Sequence, residues 1–205
     1  MNTKCDNRKA FGGSSLRPRV SLAFTLLQAF WFFLPAYVAN PAAVLFGGGR
    51  PMDGGRVLAD GHRLLGDGKT WRGFGGGVLV GVVVGVLQWA VAVTAEPELA
   101  WGGFPGGLVP LLVLPFGALL GDIMGAYVKR RMGRPRGANT PGLDWYDFYL
   151  GAFVLLVLSD YGFFLSHYVR GDAIFGLVLV TVITPFLHRA VNLLGFRLGK
   201  KDVPW

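Results

Sequence analysis

"FGGGVLVGVVVGVLQWAVAVTA", residues 74–95, decides the class of fold. It runs for 22 residues without a charged side chain. A helix needs about 20 predominantly apolar residues to cross the hydrocarbon core of a bilayer. Four further apolar runs of comparable length lie on either side of it, near 20–39, 104–128, 148–169 and 173–196. Composition agrees: 52% of the 205 residues are hydrophobic, 16% are charged, and the mean hydropathy is +0.46. Soluble domains carry about a quarter charged residues. The expectation is an all-α integral membrane protein with five transmembrane helices. Two long loops, about 46–73 and 129–146, face the cytoplasm. Residues 20–205 would form a single membrane-embedded domain, and residues 1–19 a disordered basic extension.

The single cysteine, Cys5, rules out an internal disulfide framework and a thiolate metal site. The net charge of +8 fits loops facing anionic headgroups or phosphates. No nucleic-acid-binding motif competes with that reading.

Lys and Arg in loops set orientation. The first long loop carries Arg50, Arg56, Arg63, Lys69 and Arg72, and the second Lys129, Arg130, Arg131, Arg134 and Arg136. Arg189, Arg197, Lys200 and Lys201 lie at the C-terminal end. Five crossings put these three regions on one side, the cytoplasm, in the cell membrane. The N-terminus then lies outside, although it carries Lys4, Arg8, Lys9, Arg17 and Arg19. A cleaved signal peptide would remove that conflict. The length of the apolar stretch and the Asn40-Pro41 turn expected after it favour a first helix instead.

The first loop ends in "GDGKTWRG", residues 66–73. A P-loop places glycine five residues before its Gly-Lys-Thr. Here that position is Arg63, and no strand precedes it, so this is not a Walker A motif. An ammonium, a hydroxyl, a guanidinium fork and free backbone N–H groups still suit a polyphosphate. They stand just before a helix N-terminus, which favours anions.

The second loop is flanked by carboxylates. Asp122 lies about 10 Å of helix inside the membrane from Lys129. At that depth a carboxylate faces a cavity or a partner such as Arg189. Asp144 and Asp147, three residues apart, share a helix face. They read either as an N-cap with a first-turn acid, or as oxygen donors for Mg²⁺. Lys129, Arg130 and Arg131 anchor the helix end and could also neutralise a lipid phosphate or a nucleotide triphosphate. Asp160, inside the fourth run, is a functional candidate by position or a paired structural group. Arg189 reads as a snorkelling cation and His188 as structural.

"LPAYVANPAAVLFGGG" (34–49), "GDGKTWRG", "GDIMGAYVKRRMG" (121–133) and "PGLDWYDFYLGA" (141–152) together resemble the CDP-archaeol synthases. These are archaeal cytidylyltransferases acting on 2,3-di-O-geranylgeranyl-sn-glycerol 1-phosphate. The resemblance runs from about Leu34 to the end of the chain. More remotely, Lys69-Thr70 and the Asp144/Asp147 pair are similar to elements of the CDP-diacylglycerol synthases.

The resemblance implies CTP and a prenylated glycerol phosphate lipid as substrates, and Mg²⁺ as cofactor. It implies nucleotide binding by Asp67, Gly68, Lys69, Thr70 and Arg72. Metal would be held by Asp122, Asp144 and Asp147, and lipid phosphate by Lys129, Arg130 and Arg131. Catalysis would rest on Asp122, Asp144, Asp147 and Lys69. Two rivals fit less well. A CDP-alcohol phosphotransferase needs Ala-Arg where "DGHRLLG" (60–66) has Leu64-Leu65. A transporter would favour midplane acids and an internal repeat.

Overall fold

The structure is a computed structural model describing residues 21–135, 137–200 and 203–204. The expected extension 1–19 lies outside them, as do Arg136 and Lys201. The described chain is helical: α1 (Leu22–Leu45), α2 (Trp71–Ala95), α3 (Leu108–Arg131), α4 (Leu143–Ser159), α5 (Tyr161–Tyr168) and α6 (Ala173–Arg197), with one 3₁₀ turn at Pro97–Leu99. Isolated bridges Pro51–Thr70 and Val57–Arg63 are the β pairings among the described residues. Among the described residues four helices, α1, α2, α3 and α6, are long and apolar enough to cross a membrane.

The fourth apolar run departs from expectation. It forms two helices in place of one over 148–169. At Asp160 the backbone leaves helical geometry, and the Asp160 carboxylate accepts from the Phe163 N–H at 2.9 Å. An aspartate that bonds the N–H three residues on caps a new helix. The same run starts early, at Leu143, so Asp144 and Asp147 lie in the first turns of α4.

Other boundaries also move. The Asn40-Pro41 turn does not form, and α1 continues through Pro35 and Pro41 to Leu45. Trp71, Arg72 and Gly73 leave the first loop to become the first turn of α2. Thr70 is the N-cap, its hydroxyl accepting from the Gly73 N–H at 3.1 Å. Lys129, Arg130 and Arg131 are the last turn of α3, where cations favour the helix dipole.

Packing follows small residues. Between membrane helices close approach comes from residues without bulk. On α3, Gly117, Gly121 and Gly125 lie one turn apart and face α4. A Cβ on Gly151 of α4 would collide with the Gly117 carbonyl and the Gly121 backbone, so these helices touch backbone to backbone. Above this contact an aromatic cluster fills the bundle. Phe33 stacks on Phe153 at 4.8 Å, and Phe32 meets Trp101 edge-on at 5.0 Å. Trp101 is buried and donates to the Gly85 carbonyl at 3.0 Å. At the other end, a methyl of Val203 lies 3.9 Å from the Cβ position of Gly137. Val203 therefore shares an end of the bundle with the second long loop.

Candidate active site

The glycine-rich first loop is folded, and Asp53 organises it. The Asp53 side chain is fully buried. One of its oxygens accepts from Arg63 Nη2 at 2.7 Å and the Gly55 N–H at 3.0 Å. The other accepts from Arg63 Nε at 3.1 Å, the Leu65 N–H at 3.1 Å and the Gly66 N–H at 2.9 Å. The Arg63 guanidinium holds the Asp53 carboxyl well below the usual carboxylate range; burial pushes the other way, and the backbone donors add to the lowering. A carboxyl lowered on folding contributes stability above its unfolded pKa and loses it only as pH falls through the folded value. The pair is therefore intact at neutral pH and is lost as the carboxyl protonates in acid, below the usual carboxylate range.

The loop closes on itself beside this pair. The Met52 N–H donates to the Lys69 carbonyl at 2.8 Å, and the Lys69 N–H to the Gly66 carbonyl at 3.3 Å. Positive φ at Gly49 leaves room for the stem of Arg72, whose Cδ would sit 3.2 Å from a Cβ there.

From this frame Lys69 reaches across to α3. Its Nζ lies 2.5 Å from Asp122 Oδ2, both side chains about a quarter exposed. Asp122 thus meets Lys69, and the expected alternative partner Arg189 is not the one it takes. Asp147 is buried in α4 against Gly125, where a Cβ would strike its carboxylate. Its backbone carbonyl and its carboxylate lie against Gly121 and Gly125 of α3, the glycines that flank Asp122. One Asp147 oxygen accepts from the Phe148 N–H at 2.6 Å, and no described cation forms an ion pair with it. Asp144 pairs with Lys129 at 2.7 Å through one oxygen and accepts the Thr140 N–H at 2.8 Å through the other.

The candidate residues thus divide. Lys69, Asp122 and Asp147 converge where the first loop meets α3 and α4, with Asp144 and Lys129 paired beside them. Thr70 caps α2, and Arg72 lies exposed in its first turn. Asp67 pairs with Arg63 at 3.0 Å. Among the described residues, no three acidic, His or Cys side chains cluster closely enough to hold a metal unaided.

Arg131 is engaged by the first loop. It donates to Asp60, to the Arg63 carbonyl at 2.7 Å and to the His62 carbonyl at 3.4 Å, and lies over the Tyr127 ring. It ties α3 to the first loop. The sequence reading did not single out Asp53 and Arg63 for a role. Burial of an Asp-Gly-Gly aspartate by an arginine ten residues on leaves no periodic signal.

Comparison with known proteins identifies the family. The family described as "CarS-like: CDP-archaeol synthase" matches residues 22–205. A CDP-archaeol synthase of Methanosphaerula palustris is 50% identical over 173 residues, 84% of this chain and 99% of that protein. One from Thermococcus kodakarensis is 44% identical over 181 residues, 88% of this chain and 97% of its own. A solved structure, described as an intramembrane enzyme for archaeal membrane lipids biosynthesis, superposes with a TM-score of 0.61 at 36% identity. It covers 82% of this chain and 94% of its own. With relatives matched almost end to end and the family pattern running from α1 to the C-terminus, the chain belongs to the CDP-archaeol synthase family.

Proposed function

We propose that the chain transfers the cytidylyl group of CTP to 2,3-bis-O-(geranylgeranyl)-sn-glycerol 1-phosphate, giving CDP-archaeol and pyrophosphate. The observation that carries this reading is the contact of Lys69 with Asp122. It joins a cationic, glycine-rich loop to carboxylates at one end of a membrane bundle. One substrate is dissolved in the cytosol and the other in lipid, so a site at that boundary serves both.

In this reading Lys69, Arg72 and the N-terminal N–H groups of α2 hold the triphosphate. A lipid phosphate oxygen attacks the α-phosphorus in line. The bond from that phosphorus to the bridging oxygen breaks, and pyrophosphate leaves. The attacking phosphate is already ionised, so positioning and relief of charge repulsion carry the rate. Lys129 and Arg130, at the end of α3, face the lipid phosphate. Arg131 contributes by holding the first loop.

The donor set suits Mg²⁺. This ion binds one or two carboxylates and completes its shell with water and substrate phosphates. Asp122 and Asp147 would hold it, with Asp144 reaching it through water. When bound, it neutralises triphosphate oxygens and eases pyrophosphate departure.

The bundle is read as five crossings, α4 and α5 together making the fourth. That count is supported by Val203 lying beside the second loop. The cation-rich loops and the C-terminus then face the cytoplasm.

Pyrophosphate release by purified protein in detergent tests the reading. The mixture contains Mg²⁺, one nucleotide and the ether-lipid phosphate. Release with CTP, not with ATP, and dependent on the lipid is expected. No release from folded protein with any pair would overturn it.

A further inference from the structure

We infer that Asp53 is a positioning residue for CTP: by gathering Arg63 and the backbone of residues 65 and 66, it fixes where Lys69 stands. The inference rests on the reading of Lys69 as a phosphate ligand. Asp53 itself is too enclosed to meet substrate, since its side chain is fully buried and five N–H donors surround it.

The path from Asp53 to Lys69 is short and tied at both ends. Asp53 follows Met52, whose N–H is bonded to the Lys69 carbonyl. The Asp53 carboxylate also accepts from the Gly66 N–H, and the Gly66 carbonyl accepts from the Lys69 N–H. The turn 66–69 is thus held at its first residue by a charge and at its last by backbone bonds. Outside it, Arg63 has a double attachment. Its side chain grips Asp53 and Asp67, and its carbonyl is held by Arg131 from α3. These bonds connect the rigid end of α3 to Lys69 through the loop.

The loop needs such a device. Residues 46–70 carry Gly47, Gly48, Gly49, Gly54, Gly55, Gly61, Gly66 and Gly68. Glycine gives a chain the most conformational freedom to lose. Without an organising charge, Lys69 would sample many positions before meeting a triphosphate, and binding would bear that ordering cost. Asparagine at 53 keeps the size but turns an NH₂ toward donors that need an acceptor. Lysine at 63 keeps the charge but loses the planar fork that holds both Asp53 oxygens.

The test is a double-mutant cycle with KM measured separately for each substrate, on full-length protein in detergent. Asp53→Asn should raise KM for CTP at least tenfold and leave KM for the lipid phosphate within twofold, in protein that is still folded at the assay temperature although its unfolding midpoint is lowered. In a Lys69→Ala background, Asp53→Asn should add less than twofold, because its effect runs through Lys69. A normal KM for CTP in folded Asp53→Asn would overturn the inference. So would an equal rise in both KM values, or effects of the two substitutions that multiply. Lys69→Ala with an unchanged KM for CTP would remove the Lys69 reading, and the inference with it. A raised KM in Lys69→Ala beside a normal one in Asp53→Asn removes the inference alone. If Asp53→Asn does not fold, Arg63→Lys carries the same comparison with the same outcomes.

Discussion

Asp147 is held in place by what Gly125 lacks. The two helices approach so closely that any side chain at 125 would occupy the space of the Asp147 carboxylate. A buried carboxylate with no ion pair among the described residues is costly, and groups kept at such a cost cluster at functional sites. Asp147→Asn should therefore lower turnover by two orders of magnitude or more at saturating CTP, with the unfolding midpoint unchanged or raised. Gly125→Ala should lower turnover in the same direction and also destabilise, since overpacking costs typically about 1–3 kcal/mol. Turnover in detergent and thermal unfolding on the same preparations check both. Near-normal turnover in Asp147→Asn would exclude it as a metal ligand. The spacing of Asp144 and Asp147 was legible in the sequence because one helix carries both. Their separate fates were not: Lys129, fifteen residues before Asp144, returns to neutralise it across the second loop.

At the scale of elements, apolar runs marked the helices because a bilayer demands length, and length shows in sequence. The ends shifted where capping chemistry overrode hydropathy. Thr70 starts α2 three residues early, and the last turn of α3 absorbs three cations. The break at Asp160 was hidden because Ser159-Asp160 stands between two longer, mainly apolar stretches. Its signal was the residue itself, an aspartate three positions before an N–H that it can bond. Its capping bond favours the structural alternative for this acid. Asp160→Ala should cost about 1 kcal/mol, the typical worth of an N-cap, and leave turnover per folded molecule unchanged. Denaturant or thermal unfolding in detergent reads the first, and pyrophosphate release the second. A large, selective loss of turnover would place chemistry at the wrong end of the bundle for the proposed site.

For the whole molecule, the question is which end faces the cytosol. The contact of Lys69 with Asp122 brings together residues 53 positions apart, and no periodicity foretells it. What the sequence could state was the charge of each end. Arg and Lys crowd the loops beside α2 and α3, and the short connection 96–107 carries Glu96 and Glu98 without a cation. A nucleotide made in the cytosol must reach the cationic end, so orientation is a condition of the proposed activity. The single cysteine makes it measurable. In a Cys5→Ser background, Arg56→Cys and Glu98→Cys place exposed thiols at opposite ends. A membrane-impermeant maleimide should label Glu98→Cys in right-side-out vesicles and Arg56→Cys only in inverted ones. The reverse pattern would put Lys69 outside the cell, where CTP is absent, and the proposed reaction could not run there.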